Sequence, residues 1–115
     1  MSVPFASERE FQAAIVTLAR ATGWLVFHVV DSRKSTGVGF PDLVLVHRHT
    51  GRTLFWELKT DKGRVTPEQQ EWLDALGQNH EAAVIRPEAW ASGLVQDMLA
   101  QPRREAFAPL HRGRP

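Results

Sequence analysis

The chain has 115 residues, 43% of them hydrophobic and 23% charged, with 14 Lys or Arg against 13 Asp or Glu. A chain of this size builds one hydrophobic core, and four Trp and six Phe set its composition apart from disordered tails and fibrous repeats. The absence of cysteine excludes a disulfide framework, a thiolate zinc site and a Cys nucleophile, and fits an intracellular, reducing compartment.

The longest apolar run, residues 24–30, contains His28 and is far short of the roughly 20 residues of a membrane span. The N-terminus lacks the basic stretch and apolar block of a secretory signal. Charge is unevenly spread. Residues 101–115 hold four Arg against one Glu and residues 30–65 hold seven Lys or Arg against four acids, while residues 67–82 hold four acids and no Lys or Arg. Clustered basic charge of this kind permits a polyanionic partner without requiring one.

In chain order, residues 7–22 read as a helix. Ser7 and Glu10 form a capping box, and Phe11, Ala14, Ile15, Leu18 and Ala19 recur at helical spacing up to Gly23. Residues 24–30 read as a buried strand and residues 31–41, with two Gly, as a loop. Residues 42–47 and 53–58 read as an antiparallel hairpin turning at Thr50 and Gly51. A basic loop, residues 60–65, leads to Thr66, Pro67 and Gln69, which start a second helix running to Gly77. Residues 82–86 read as a strand. Pro87 opens a third helix whose apolar face is Trp90, Leu94, Val95, Met98 and Leu99. A hairpin plus a later strand, with helices between, predicts a mixed sheet flanked by helices in a single domain of the α/β (α+β) class, residues 1–100, followed by a basic tail, residues 101–115.

Asp42, Glu57 and Lys59 are charged residues on or beside strands that otherwise read as core. Glu57 and Lys59 share one face by strand alternation, and a two-residue turn would place position 42 opposite 59 and 44 opposite 57, bringing Asp42 to the same face. Two carboxylates and an ammonium so placed could hold a hard divalent cation such as Mg²⁺. Taken singly, Glu-x-Lys is usually a solvated pair worth under about 1 kcal/mol, and an Asp after Pro is often a turn residue. On the first helix, Glu8 points with the apolar stripe and Gln12 shares its edge, whereas Glu10 lies nearly opposite as the box residue. Gln69 falls within the stripe of Trp72, Leu73, Ala75 and Leu76, in addition to its capping role. His28 faces the core or the site cleft and reads as a satisfied buried imidazole, and His47 and His49 read as surface residues at the rim of the hairpin in preference to metal ligands.

The segments Ser7-Glu8-Arg9-Glu10-Phe11-Gln12, Gly39-Phe40-Pro41-Asp42, Glu57-Leu58-Lys59 and Thr66-Pro67-Glu68-Gln69, in an αβββαβ order, resemble the PD-(D/E)XK nuclease superfamily, and within it the virus-type replication-repair nuclease (VRR-NUC) family, particularly its small stand-alone phage members. The resemblance covers residues 7–86. It implies a Mg²⁺- or Mn²⁺-dependent endonuclease leaving 5′-phosphates, with Asp42, Glu57 and the Leu58 carbonyl as metal ligands and Glu8 completing or supporting that set. It further implies that Lys59 orients the attacking water, that Gln69 lies beside the site and that Gln12 lies near Glu8. Arg33, Lys34, Lys62 and Arg64, on the two flanking loops, are candidates for gripping DNA phosphates, as are Arg103, Arg104, Arg112 and Arg114 on the tail. By the same resemblance the substrate is branched DNA such as a Holliday junction, the enzyme a homodimer, and its home the cytoplasm of a phage-infected or bacterial cell.

Three rival readings fare worse. Gly37 and Gly39 lack the third Gly and the following helix of a dinucleotide loop, so no nucleotide cofactor is expected. A non-catalytic DNA-binding module gains nothing from carboxylates that repel phosphate. A restriction-type duplex endonuclease needs a recognition segment for which only loops remain.

Overall fold

The structure, a computed structural model, describes residues 5–29 and 36–104. Among these, α1 (Glu8–Ala21), β1 (Trp24–His28), β2 (Leu43–His47), β3 (Thr53–Leu58), α2 (Pro67–Leu76), β4 (Glu81–Ile85), α3 (Pro87–Ala91) and α4 (Leu94–Leu99) follow in chain order. The strands form one sheet in the order β1-β2-β3-β4, antiparallel from β1 to β3 and parallel between β3 and β4. Helix α2 makes the crossover that a parallel pair requires, so this is the mixed α/β sheet with flanking helices expected from the element order. No described helix is long and apolar enough to cross a membrane.

Phe11, Ile15 and Ala19, four residues apart along α1, are fully buried against the inner face of the sheet. The alternate residues Trp24, Leu43, Leu45, Leu54, Trp56 and Leu58 meet them there, and Val95 and Leu99 of α4 close the layer. Trp24 satisfies its indole N–H on the Leu99 carbonyl at 3.0 Å. Ser7 caps α1 by accepting from the Glu10 N–H, but Glu10 returns to the Ala6 N–H instead of that of Ser7, so the box closes one residue early.

The hairpin differs from the sequence expectation. Leu43 pairs with Trp56 and Val46 with Thr53, and the His47 N–H donates to the Arg52 carbonyl at 2.8 Å, so residues 48–51 form a four-residue loop. A two-residue turn needs positive φ where Thr50 stands, which a β-branched residue resists; only Gly51 in the loop takes it, at +77°. The register therefore moves by two positions. Because side chains alternate with period two, this preserves every face and brings position 42 opposite 57 instead of 59.

Three further expectations are corrected. The third helix is two short ones, broken by Gly93 at φ +89°. His47 is only 8% exposed, set edge-on to Trp24 at 5.1 Å beneath Gly23. His28, expected to be buried, is exposed. Strand ends also shift: β1 stops at His28 and β4 starts at Glu81.

Candidate active site

Asp42 stands one residue before β2. Its Oδ2 accepts the backbone N–H of Leu58 at 2.8 Å, which ties the start of one strand to the end of its neighbour. One step beyond the Leu43–Trp56 pair, Asp42 faces Glu57 across the ladder, on the outer face of the sheet. Glu57 is 2% exposed. Its Oε2 accepts from Gln69 Nε2 at 3.1 Å and lies 3.6 Å from Lys59 Nζ. Its Oε1 is buried with no hydrogen-bond partner among the described residues.

The electrostatics follow. Burial, then the charge and hydrogen bonding of Asp42, push the Glu57 carboxyl up to about 8, with Lys59 opposing and Glu8 adding slightly. Glu8, on the first turn of α1, is raised by partial burial and then by Asp42, against the pull of Lys59. Glu8 thus lies within electrostatic reach of the pair, although its side chain is largely in solvent, short of the inward position its helical phase implied. Among the described residues, no three His or acidic side chains converge into a ready ion cage. The arrangement is a carboxylate pair, with Lys59 and Gln69 against Glu57 and with Glu8 to one side.

Gln69 carries out both of its possible roles. Its Oε1 accepts the Thr66 N–H at 2.9 Å and completes the capping box of α2, while its Nε2 reaches Glu57. Ala75, placed by sequence on the same stripe, is exposed, and Leu73 is the residue of α2 that is buried. Gln12, one turn after Glu8, bonds to His28 Nε2 at 3.1 Å.

Lys62 and Arg64 are exposed on the loop between β3 and α2. Arg33, Lys34, Arg112 and Arg114 lie outside the described residues. Arg103 is exposed, whereas Arg104 turns back to Glu81 at 3.3 Å, joining the Arg52–Glu81 ion pair of 2.7 Å at the other end of the strands from Glu57.

Two supports went unread in the sequence. Arg86 Nη1 donates to the carbonyls of Thr60 at 2.7 Å and Gly63 at 2.9 Å and so fastens the loop that carries Lys62 and Arg64. On the other side, Trp72 Nε1 donates to the Val38 carbonyl at 3.0 Å, Phe40 meets Trp72 edge-on at 5.0 Å, and Gly39 (φ +89°) lies so close to α2 that a Cβ would come 2.6 Å from the Glu68 carbonyl carbon. A Gly two residues before Pro-Asp was a visible signal for close backbone approach; an Arg before Pro87 gave none.

Against protein-family models, residues 1–89 match the VRR-NUC domain. Neither the curated proteins nor the solved structures gave a match.

Proposed function

The chain belongs to the VRR-NUC family and carries its nuclease-type, DNA-processing domain; from that premise we propose that it is a metal-dependent endonuclease hydrolysing phosphodiesters in branched DNA. The observation that carries this reading is Glu57, a carboxylate 2% exposed beside a second carboxylate, with one oxygen that no donor among the described residues reaches. Burying like charges together is strongly unfavourable unless a proton or a cation joins them.

The residues fit a hard cation. Asp42 and Glu57 would hold Mg²⁺ or Mn²⁺ with the Leu58 carbonyl, and Glu8 would support the set from α1. A divalent ion bound there supplies charge that offsets the phosphate oxygens and makes a nearby water easier to deprotonate. Lys59, held beside Glu57, orients that water and screens the developing oxyanion. Gln69 fixes the Glu57 carboxylate through Nε2 so that its other oxygen stays turned to the site. Lys62 and Arg64 bind backbone phosphates, and Gln12 approaches the DNA from α1. Since one small domain spans little of a four-way junction, a homodimer acting on two strands belongs to the same proposal.

The test is cleavage of linear duplex, single-stranded, flap and four-way junction DNA with Mg²⁺ or Mn²⁺, beside Glu57→Ala and Lys59→Ala. Branched substrates should be cut, and either substitution should lower the rate by 100-fold or more, on the order of removing one electrostatic contact to the transition state. Undiminished cutting by both variants refutes the assigned site, and DNA binding without cutting by the wild type favours the binding module. Light scattering checks the dimer.

A further inference from the structure

The outer face of the sheet is covered unevenly. Phe40 packs on Phe55 of β3 and on Trp72 of α2, and α2 packs over β4, whereas Leu25 and Phe27 of β1 remain 50% and 63% exposed. Phe27 is the most exposed large apolar side chain among the described residues. Its position is informative. Phe27 pairs with Val44, and the ladder continues as the Val29 N–H donates to the Asp42 carbonyl at 2.9 Å. Phe27 and Asp42 are therefore diagonal neighbours on the same face, with Cβ atoms about 7–8 Å apart or less, within reach of an aromatic ring.

We propose that Phe27 is a stacking platform for a nucleobase of the strand being cut, one that has left its helix; this rests on the nuclease reading above. A Phe side chain has neither donor nor acceptor, so it can recognise a base only by its face. Within intact duplex those faces are covered by neighbouring bases and only the edges are offered in the grooves. The ligand is thus an unstacked nucleotide such as a branch point, flap or single strand presents, and any of the four bases serves. Leu25 and Val44 extend the apolar surface beside the ring. Continuity with the Asp42–Glu57 face selects the substrate as occupant, because a second copy of the chain seated on Phe27 would cover the approach to Asp42.

The experiment measures binding in Ca²⁺ in place of Mg²⁺, using junction, flap and linear duplex DNA with 2-aminopurine at the unpaired position or its duplex counterpart. Wild type should quench the probe in branched DNA. Phe27→Ala should abolish the quench and weaken branched-DNA binding about 5- to 150-fold, with duplex binding unchanged within about twofold. Phe27→Trp should restore affinity, and Phe27→Leu, which keeps apolar bulk without a π-face, should not. Because the ring is mostly in solvent, these variants are expected to fold, which thermal melts check. Branched-DNA binding by Phe27→Ala and Phe27→Leu equal to wild type overturns the proposal, as does a dimer that Phe27→Ala dissociates, which makes the face a self-interface. A wild type that neither binds nor cuts DNA sinks the nuclease reading itself; normal cutting alongside an indifferent Phe27→Ala sinks the stacking site alone.

Discussion

The buried carboxylate pair makes a prediction that requires no DNA. In metal-free protein the Glu57 carboxyl is raised from 4.5 to about 8, first by burial and then by Asp42. A group whose pKa is raised by folding contributes stability that is whole below its unfolded value and is lost as pH climbs through the folded one. The stability difference attributable to Glu57 should therefore open between pH 4.5 and 8, reaching about 3 kcal/mol at pH 7 at 1.36 kcal/mol for each pH unit above 4.5. Glu57→Gln is the matching perturbation: its amide oxygen still accepts from Gln69 Nε2, its NH₂ can donate to Asp42, and it does not ionise. Urea unfolding in EDTA should find the two proteins close at pH 4.5–5. By pH 7 the variant should be the more stable, by about 1.5 M in midpoint for an m-value of about 2 kcal/mol/M. A difference that stays within about 0.5 kcal/mol from pH 5 to 8.5 would mean that Glu57 ionises in the fold as freely as in the unfolded chain, which its burial beside Asp42 forbids.

Other predictions concern the supports of the site. The Glu81 carboxyl, which burial alone would raise, is lowered by hydrogen bonds and charge from Arg52 with help from Arg104, so its stabilising contribution is present above 4.5 and lost as pH falls through the lowered value; Glu81→Gln should be less stable than wild type at pH 7, and the gap in urea midpoints should shrink as pH falls from 4.5 through that lowered value. Gly39→Ala places a Cβ at φ +89° and 2.6 Å from the Glu68 backbone, and should destabilise by at least about 2 kcal/mol in the same urea assay. Gln69→Ala removes half of the α2 capping box and the amide on Glu57, so we expect about 1 kcal/mol of lost stability, with a fall in kcat that exceeds any rise in KM. Arg86→Met frees the carbonyls of Thr60 and Gly63 and should speed amide exchange across residues 60–64 while leaving exchange in β2 unchanged.

The faces of this fold were legible in the sequence because alternation and helical period are local. Phe11, Ile15 and Ala19 could be assigned to one stripe, and Asp42 and Glu57 to one side of a hairpin, without knowledge of what packs on them. Register was not legible. It depended on whether Thr50 would accept positive φ, and the two-residue error was harmless only because it was even; an odd slip would have sent Asp42 and Glu57 to opposite faces. The histidines depart from expectation in both directions for a related reason: whether an imidazole at a strand end is covered depends on a neighbouring strand or turn, here Trp24 and Gly23 over His47, whereas His28 stays exposed with Gln12 on its Nε2. The long-range anchors, Arg86 on residues 60 and 63 and Arg52 on Glu81, leave no periodic trace, since each joins segments separated by more than 20 residues.

Different contacts place the two carboxylates, which come from different strands, beside each other. The β2–β3 ladder sets Asp42 opposite Glu57, and the Leu58 N–H holds the Asp42 carboxylate directly. The side-chain torsions and the approach of the chain to Asp42 are governed instead by the first two turns of α2. Thr66 and Gln69 form a box that uses the amide oxygen of Gln69 and leaves its Nε2 to donate to Glu57. One turn later, Trp72 holds the Val38 carbonyl, and Gly39 rests on the Glu68 backbone three residues before Asp42. The same helix start therefore braces the loop that leads to one carboxylate and fixes the orientation of the other. A rigid body in contact with both is what a site needs if like charges are to stay within a few ångströms of each other without relaxing apart, and it explains why a capping residue can be at once a structural and a functional one.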